Sequence, residues 1–356
     1  GTSTHVFSRR LRVAASEMHL RSRQRTPSPS AHSPWQTGAM SAIENSKLAV
    51  IGAGSVGTSL AYAALIRGSA RHVALYDIAK EKVDAEVLDL AHGTQFTGSS
   101  DIVGGDDISV VQDANVVVIT AGAKQRPGQT RLELAGTNVR ILEGMLPALL
   151  EHAPNAVYVL VTNPCDVLTV AAQQITGLPS TRIMSSGTVL DTSRLRWLLA
   201  KRAGVATSSV HASIVGEHGD TEFALWSTAT IGSVPILDWQ GPGSHRFEPH
   251  ELDHIADDVK NAAYKVIAGK GATNYAIGLS GARIAEAILR DEHAVLPVST
   301  VLGGEYGVDG IALSMPSIVG AHGATPVHGT PLSADESNKL IASADALRAS
   351  LATLGL

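Results

Sequence analysis

Ten residues, Leu48 to Gly57, constrain this chain more than any other stretch. The apolar run Leu48-Ala49-Val50-Ile51 passes directly into Gly52-Ala53-Gly54-Ser55-Val56-Gly57, which reads as a strand, a tight turn and a helix start. A bare Gly-x-Gly-x-x-Gly is weak, but here Thr58 to Ile66 continue with a helical pattern. A second apolar run, Val73-Ala74-Leu75-Tyr76, then ends in Asp77, twenty residues past Gly57. That spacing fits a dinucleotide fold. Gly52 would make the turn, Gly54 would let backbone approach a pyrophosphate, and Gly57 would let helix and strand pack closely, with Ser55 and Val56 opening the helix. Asp77, followed by Ile78, would accept hydrogen bonds from ribose hydroxyls and repel a 2'-phosphate, so NAD is expected rather than NADP. The bland alternative is a glycine-rich turn in any doubly wound fold.

Val116 to Ile119 and Val157 to Val161 are further continuous apolar runs, as expected of strands covered on both faces in a parallel sheet. They end in Thr120-Ala121-Gly122-Ala123 and Thr162-Asn163-Pro164, and in open α/β sheets ligands bind at such carboxyl ends. After about Met184 helices and strands mix, with more glycine and proline. The expected architecture is therefore α/β: a doubly wound NAD-binding domain over residues 40–185, then a mixed α+β catalytic domain over 186–356. Leu252 to Ala268 has helical periodicity. Ser333-x-x-Glu336 is a capping box opening a terminal helix, with Leu340, Ala344, Leu347 and Leu351 on its buried face.

Composition narrows the function classes. A chain of 356 residues with 44% hydrophobic content can bury a sizeable core. No apolar run approaches the ~18 residues that span a bilayer, so a membrane role is not expected. Residues 1–39 carry six Arg against one acid, Glu17, which leaves the remainder at −10 and argues against nucleic acid as a partner. That leader, rich in Arg and Ser, is expected to be disordered. Its composition suits a transit peptide, although upstream sequence ahead of a start at Met40 is the favoured reading. The single cysteine, Cys165, suits a reducing, cytoplasmic setting and reads as a buried small residue.

Chemistry concentrates further on. Gly216-Glu217-His218-Gly219-Asp220 offers an imidazole between two glycines; alone it is more often a plain loop than a catalytic base, and no second His or Cys nearby suggests a metal. Asp191 and Arg194, three apart, would share a helix face. They could form a local ion pair, or Asp191 could serve His218 while Arg194 forks onto a substrate carboxylate. Lys124-Gln125-Arg126-Pro127-Gly128-Gln129-Thr130-Arg131 is a polar loop placed to act as a lid, or an ordinary solvated loop.

Taken in order, GAGSVG, LYDI, AGAKQRPGQTR, VTNPCD, SGTVLDTSRLR, GEHGD and KGATNYAIG resemble the lactate and malate dehydrogenase family from about Lys47 to Leu351. The resemblance implies that His218 is proton donor and acceptor, Asp191 its orienting partner and Arg194 the fork for the substrate carboxylate. By the same similarity Arg131 polarises the carbonyl from the lid, Asn163 bonds the same oxygen, Thr273 lines the pocket, and Ile277 lies against the nicotinamide. Thr120, Ala121 and Gly122 would border the coenzyme. Gln125 stands where malate enzymes of the family carry Arg, so pyruvate is expected over oxaloacetate, although a loop rotated by one residue would bring in the cation of Lys124 or Arg126 on either side. Gln129 departs from the acid usual before the Thr-Arg pair. Members activated by fructose 1,6-bisphosphate resemble this chain in having Arg196 and His211, which otherwise read as surface residues. A homotetramer is also implied. The rival readings are a malate or bulkier 2-hydroxyacid dehydrogenase and a non-catalytic dinucleotide-binding protein.

Overall fold

Six parallel strands put the glycine turn at the centre of the sheet. The computed structural model describes residues 43–124, 130–243 and 245–356, with Arg131 and Leu132 as backbone only. The leader, and residues 125–129 of the expected lid with Gln125, Arg126 and Gln129 among them, therefore lie outside the described residues. Strands β1 (Lys47–Ile51), β2 (His72–Tyr76), β3 (Asp101–Gly105), β4 (Val116–Ile119), β5 (Val157–Leu160) and β6 (Ile183–Ser185) stand in the order 3-2-1-4-5-6. Two more, Ser299–Gly303 and Asp309–Ser314, extend the sheet antiparallel beyond β6. Ile51 pairs with both Tyr76 and Ile119, so β1, β2 and β4 end level. Strand order reverses between β1 and β4, which opens a crevice at those ends.

The strands form because their side chains are apolar on both faces. Leu48 to Ile51 and Val116 to Ile119 are wholly buried, β1 and β4 being covered by helices above and below. The helices are α1 (Ser55–Arg67), α2 (Lys80–His92), α3 (Arg131–His152), α4 (Cys165–Thr176), α5 (Val189–Ala203), α6 (Pro249–Lys270), α7 (Tyr275–Leu289) and α8 (Ala334–Leu354). Helix α7 lies so close on α1 that a Cβ at Gly278 would meet the Ser59 carbonyl carbon at 2.8 Å. Short antiparallel sheets, including Ala294–Leu296, Ser317–Gly320 and Gly323–Pro326, make the second half mixed, as expected. Ser333 caps α8 through the expected box, its Oγ accepting the Glu336 N–H at 3.2 Å, and Leu340, Ala344, Leu347 and Leu351 are buried.

Two of the six parallel strands, β3 and β6, have no signature in the sequence. β3 carries Asp101, Gly104 and Gly105 at the sheet edge and has no apolar run, while β6 is only three residues long. Val116–Ile119, the third apolar run read from the sequence, is accordingly the fourth strand of the chain.

Candidate active site

The loop bearing His218 is clamped from four sides. The Ile214 N–H donates to Thr192 Oγ1 at 2.9 Å and its carbonyl accepts from Thr188 Oγ1 at 2.6 Å, which ties the approach to the start of α5. Gly216 exchanges two backbone bonds of 2.9 Å with Ser314 of the sheet, and the Glu217 N–H donates to Ser343 Oγ of α8 at 2.8 Å. The His218 N–H donates to Asp166 Oδ2 of α4 at 2.7 Å. Gly216 has φ +90°, a left-handed conformation that glycine adopts without strain, and a Cβ there would crowd Ser343 Oγ at 3.0 Å. Gly216 thus also permits the backbone path into the His218 loop.

This clamping delivers the ring to α5. His218 Nδ1 lies 2.7 Å from Asp191 Oδ2, and Arg194 donates to Asp191 Oδ1 at 2.8 Å. Asp191 therefore meets both groups, pairing with Arg194 three residues on and bonding the His218 ring. Asp191 is 2% exposed, and a buried carboxylate at this distance fixes Nδ1 as the donor and leaves Nε2 for the cavity. Burial disfavours charge on the imidazole, but Asp191, Glu222 and Asp166 more than offset it and raise His218 to about 9. Burial likewise opposes ionisation of Asp191, yet His218 and then Arg194 hold it below the usual carboxylate range. Burial pushes Asp166 up to about 6, and burial together with the Asp191 charge pushes Glu222 up to about 8.

One cavity of about 1170 Å³ runs from the glycine turn to His218. Gly52, Gly54, Ser55, Val56, Gly57, Asp77, Ile78, Thr120, Ala121, Gly122, Asn163, Arg194, His218, Thr273 and Ile277 all line it. Asp191 stands behind His218, outside the lining. Arg131 is the first residue of α3, capped by Thr130, and its side chain is not among those described; Lys124 lines the cavity. Arg196 donates from Nε to the Ala212 carbonyl at 2.9 Å; His211, the preceding residue, is exposed, and neither Arg196 nor His211 lines the cavity. Cys165 is buried, and burial holds its thiol well above its ordinary value.

The cradle fits a dinucleotide. A Cβ on Gly57 would meet the Gly52 carbonyl oxygen at 1.8 Å, and one on Gly52 would meet the Ala121 nitrogen at 2.8 Å, whereas Gly54 faces open space. Asp77 accepts the N–H groups of Ala53 at 2.7 Å and Ala79 at 2.9 Å, which fixes its charge at the end of β2. Thr120 also has a role not foreseen, its Oγ1 donating to the Ile51 carbonyl at 3.0 Å to hold β4 against the turn.

Sequence reasoning missed four residues. Asn138 bridges the two strand-end loops, its Oδ1 accepting the Ala123 N–H and its Nδ2 donating to the Asn163 carbonyl, both at 2.8 Å. Its signal was an amide on an otherwise apolar helix face, between Leu134 and Leu142. Ala263 lines the cavity from α6, with nothing in its type to mark it. Asp166 resembled an ordinary first-turn acid, and Glu222 one more acid beside Asp220.

A doubly wound sheet with this cradle, ending at an imidazole–carboxylate pair beside a guanidinium, defines a nucleotide-dependent oxidoreductase. The family model described as "lactate/malate dehydrogenase, NAD binding domain" matches residues 46–185, and "lactate/malate dehydrogenase, alpha/beta C-terminal domain" matches 188–354. The chain is 50% identical to an L-lactate dehydrogenase of Bifidobacterium animalis subsp. lactis, over 88% of this chain and 99% of that one. It is 44% identical to an L-lactate dehydrogenase of Synechococcus sp., over 85% and 97% respectively. The crystal structure of the minor L-lactate dehydrogenase from Enterococcus mundtii in a ligand-bound form superposes with a TM-score of 0.83 at 40% identity, covering 88% of this chain and 99% of that one. The chain belongs to the lactate/malate dehydrogenase family and is an NAD-dependent 2-hydroxyacid oxidoreductase.

Proposed function

We propose that the protein interconverts pyruvate and L-lactate, with His218 as the acid and base. The observation that carries this is the 2.7 Å contact of His218 Nδ1 with buried Asp191, at the end of the cavity that the glycine turn begins. Bound NADH supplies a hydride for C2 of pyruvate. His218, held as imidazolium by Asp191, gives its Nε2 proton to the carbonyl oxygen and recovers it in the reverse direction. Arg194 keeps guanidinium N–H groups free of Asp191 with which to bind the substrate carboxylate, and Asn163 bonds the reacting oxygen. Arg131, at the start of α3, would stabilise negative charge on that oxygen. Ile277 covers the nicotinamide and Thr273 the substrate; Thr273 is steadied by its neighbour Asn274, whose Nδ2 donates to Ser59 Oγ at 2.8 Å.

Neutral Gln125 favours pyruvate over the dicarboxylate oxaloacetate, since an unpaired second carboxylate is costly to bury. Following NADH absorbance with pyruvate, oxaloacetate and 2-oxoisocaproate tests this directly. Faster turnover of oxaloacetate than of pyruvate overturns the lactate reading in favour of malate.

Three finer readings belong to the same proposal. The chain divides at residues 185 and 186 into NAD-binding and catalytic domains, supported by the limits of the two family models. It works as a homotetramer in the cytoplasm, supported by exposed Tyr62, Ile66, Tyr275 and Leu279 and by the lone buried Cys165. Fructose 1,6-bisphosphate binds at Arg196 and His211, supported by the Arg196 bond to the carbonyl of Ala212, the residue next to His211 in the chain. Light scattering tests the assembly, and a pyruvate saturation curve with and without the sugar bisphosphate tests the effector.

A further inference from the structure

Glu222 has no part in the reaction just described, yet it stands beside the reacting group. It is 7% exposed, and its Oε2 is 3.9 Å from His218 Nδ1, the nitrogen that also bonds Asp191. One side-chain nitrogen or oxygen atom from each of Asp191, His218 and Glu222 lies within 4.8 Å of those of the other two. Glu222 Oε1 is buried and has no hydrogen-bond partner among the described residues. An ionised carboxyl there would lack solvation and face the like charge of Asp191, whereas the neutral acid avoids both costs. Asp191 and Arg194 face it from α5, Lys260 from α6 and His218 from its own loop, and Asp166 of α4 adds its charge at His218.

We propose that Glu222 is a positioning residue that sets how firmly His218 holds its proton. The inference rests on the acid–base role assigned to His218. Burial, then Asp191, raise the Glu222 carboxyl to about 8, close to where the imidazole titrates, so the two share one stepwise titration. As Glu222 loses its proton to solvent, the new charge strengthens the hold of His218 on its own. The acid form of the ring therefore persists to higher pH than Asp191 alone would allow, which extends the range over which pyruvate receives its proton.

The test follows the full-length protein in two ways. The ring signal of His218, labelled with ¹³C-histidine and assigned by its loss in His218→Gln, is titrated by NMR without substrate, and kcat/KM for pyruvate is measured across the same pH range. Glu222→Gln is expected to lower the His218 midpoint by roughly half to one pH unit and to move the alkaline limb of the rate profile equally, with NADH affinity unchanged. A His218 midpoint that coincides with that of the wild type overturns the proposal. A midpoint that moves while the rate profile stays leaves Glu222 acting on the ring but removes the acid–base role of His218. Should Glu222→Gln fail to fold, infrared spectra of the wild type with ¹³C-glutamate decide: a protonated glutamate band that fades across the His218 titration supports the proposal, and its absence at neutral pH overturns it.

Discussion

Asp166 and His218 stand 52 residues apart in the chain, and the Asp166 carboxylate accepts the His218 backbone N–H at 2.7 Å. His218 is thus held by two acids on two helices: α4 grips its backbone and α5 its Nδ1. Removing the first grip leaves a buried N–H unpaired, at a cost of about 1–3 kcal/mol. Asp166→Ala is expected to lower the melting temperature and to reduce kcat for pyruvate by roughly tenfold, because small misplacements of a reacting group are costly. Asp166→Asn, which keeps an acceptor oxygen, should recover most of both. Calorimetry and steady-state kinetics on the two variants check this, and equal rates in Asp166→Ala and the wild type would show that α4 does not position the ring.

Asp191→Asn should act on chemistry more than on coenzyme binding. The amide cannot stabilise the imidazolium, and Arg194 loses its charged partner at Asp191 Oδ1. Pyruvate reduction at neutral pH is expected to fall by about 10²–10⁴-fold, the usual contribution of a positioned acid or base. NADH affinity, measured by fluorescence, should stay near the wild-type value because Asp191 does not line the cavity. A variant with full activity would mean that the ring draws its proton affinity from elsewhere.

Stability should decline on the alkaline side. His218 is raised from 6.5 to about 9, so its contribution is fully present below pH 6.5 and is lost as pH rises through 9. Glu222, raised from 4.5 to about 8, has the same sign: its neutral form is the one the fold favours, and that advantage goes as pH rises through 8. Asp191 is lowered, so its share is present above the ordinary carboxylate range and disappears as pH falls through its depressed value. His218 and Asp191 describe one interaction, worth at most about 3 kcal/mol for the shift involved. Melting temperature measured from pH 6 to pH 10 is expected to fall in the wild type and to fall less in His218→Gln. Parallel curves for the two proteins would place the alkaline loss outside this site.

The chain reading and the structure part company where partners come from afar. His218, Asp191 and Arg194 were legible because each sits in a local pattern that needs little distance information: glycines around a ring, and a three-residue spacing on a helix. The glycine turn and Asp77 were legible because strand, turn and strand follow one another within 31 residues, Lys47 to Asp77. Asn138, Asp166 and Glu222 escaped because their importance comes from burial against other elements, and one sequence carries no measure of burial at an isolated polar residue. β3 escaped because sheet edges tolerate glycine and acid, which erases the pattern that reveals central strands.

Gly54 and Gly57 of the turn carry separable duties, and paired alanine variants should divide them. Gly57 packs α1 on the turn so tightly that a Cβ would fall 1.8 Å from the Gly52 carbonyl oxygen, a contact that only a backbone shift can relieve. Gly57→Ala is therefore expected to lose several kcal/mol of stability, beyond the roughly 1 kcal/mol of a typical substitution. Gly54 has φ −74° and nothing within 4 Å of its Cβ position, so Gly54→Ala meets neither strain nor a clash in the fold itself. Its side chain would instead intrude on the cavity it lines, where backbone must come close to a pyrophosphate. Gly54→Ala should melt with the wild type while binding NADH at least tenfold more weakly, about 1.4 kcal/mol or more. Thermal melts and NADH fluorescence titrations on the two variants give the comparison; a Gly54→Ala protein that binds NADH normally would mean that the pyrophosphate does not pass over this turn.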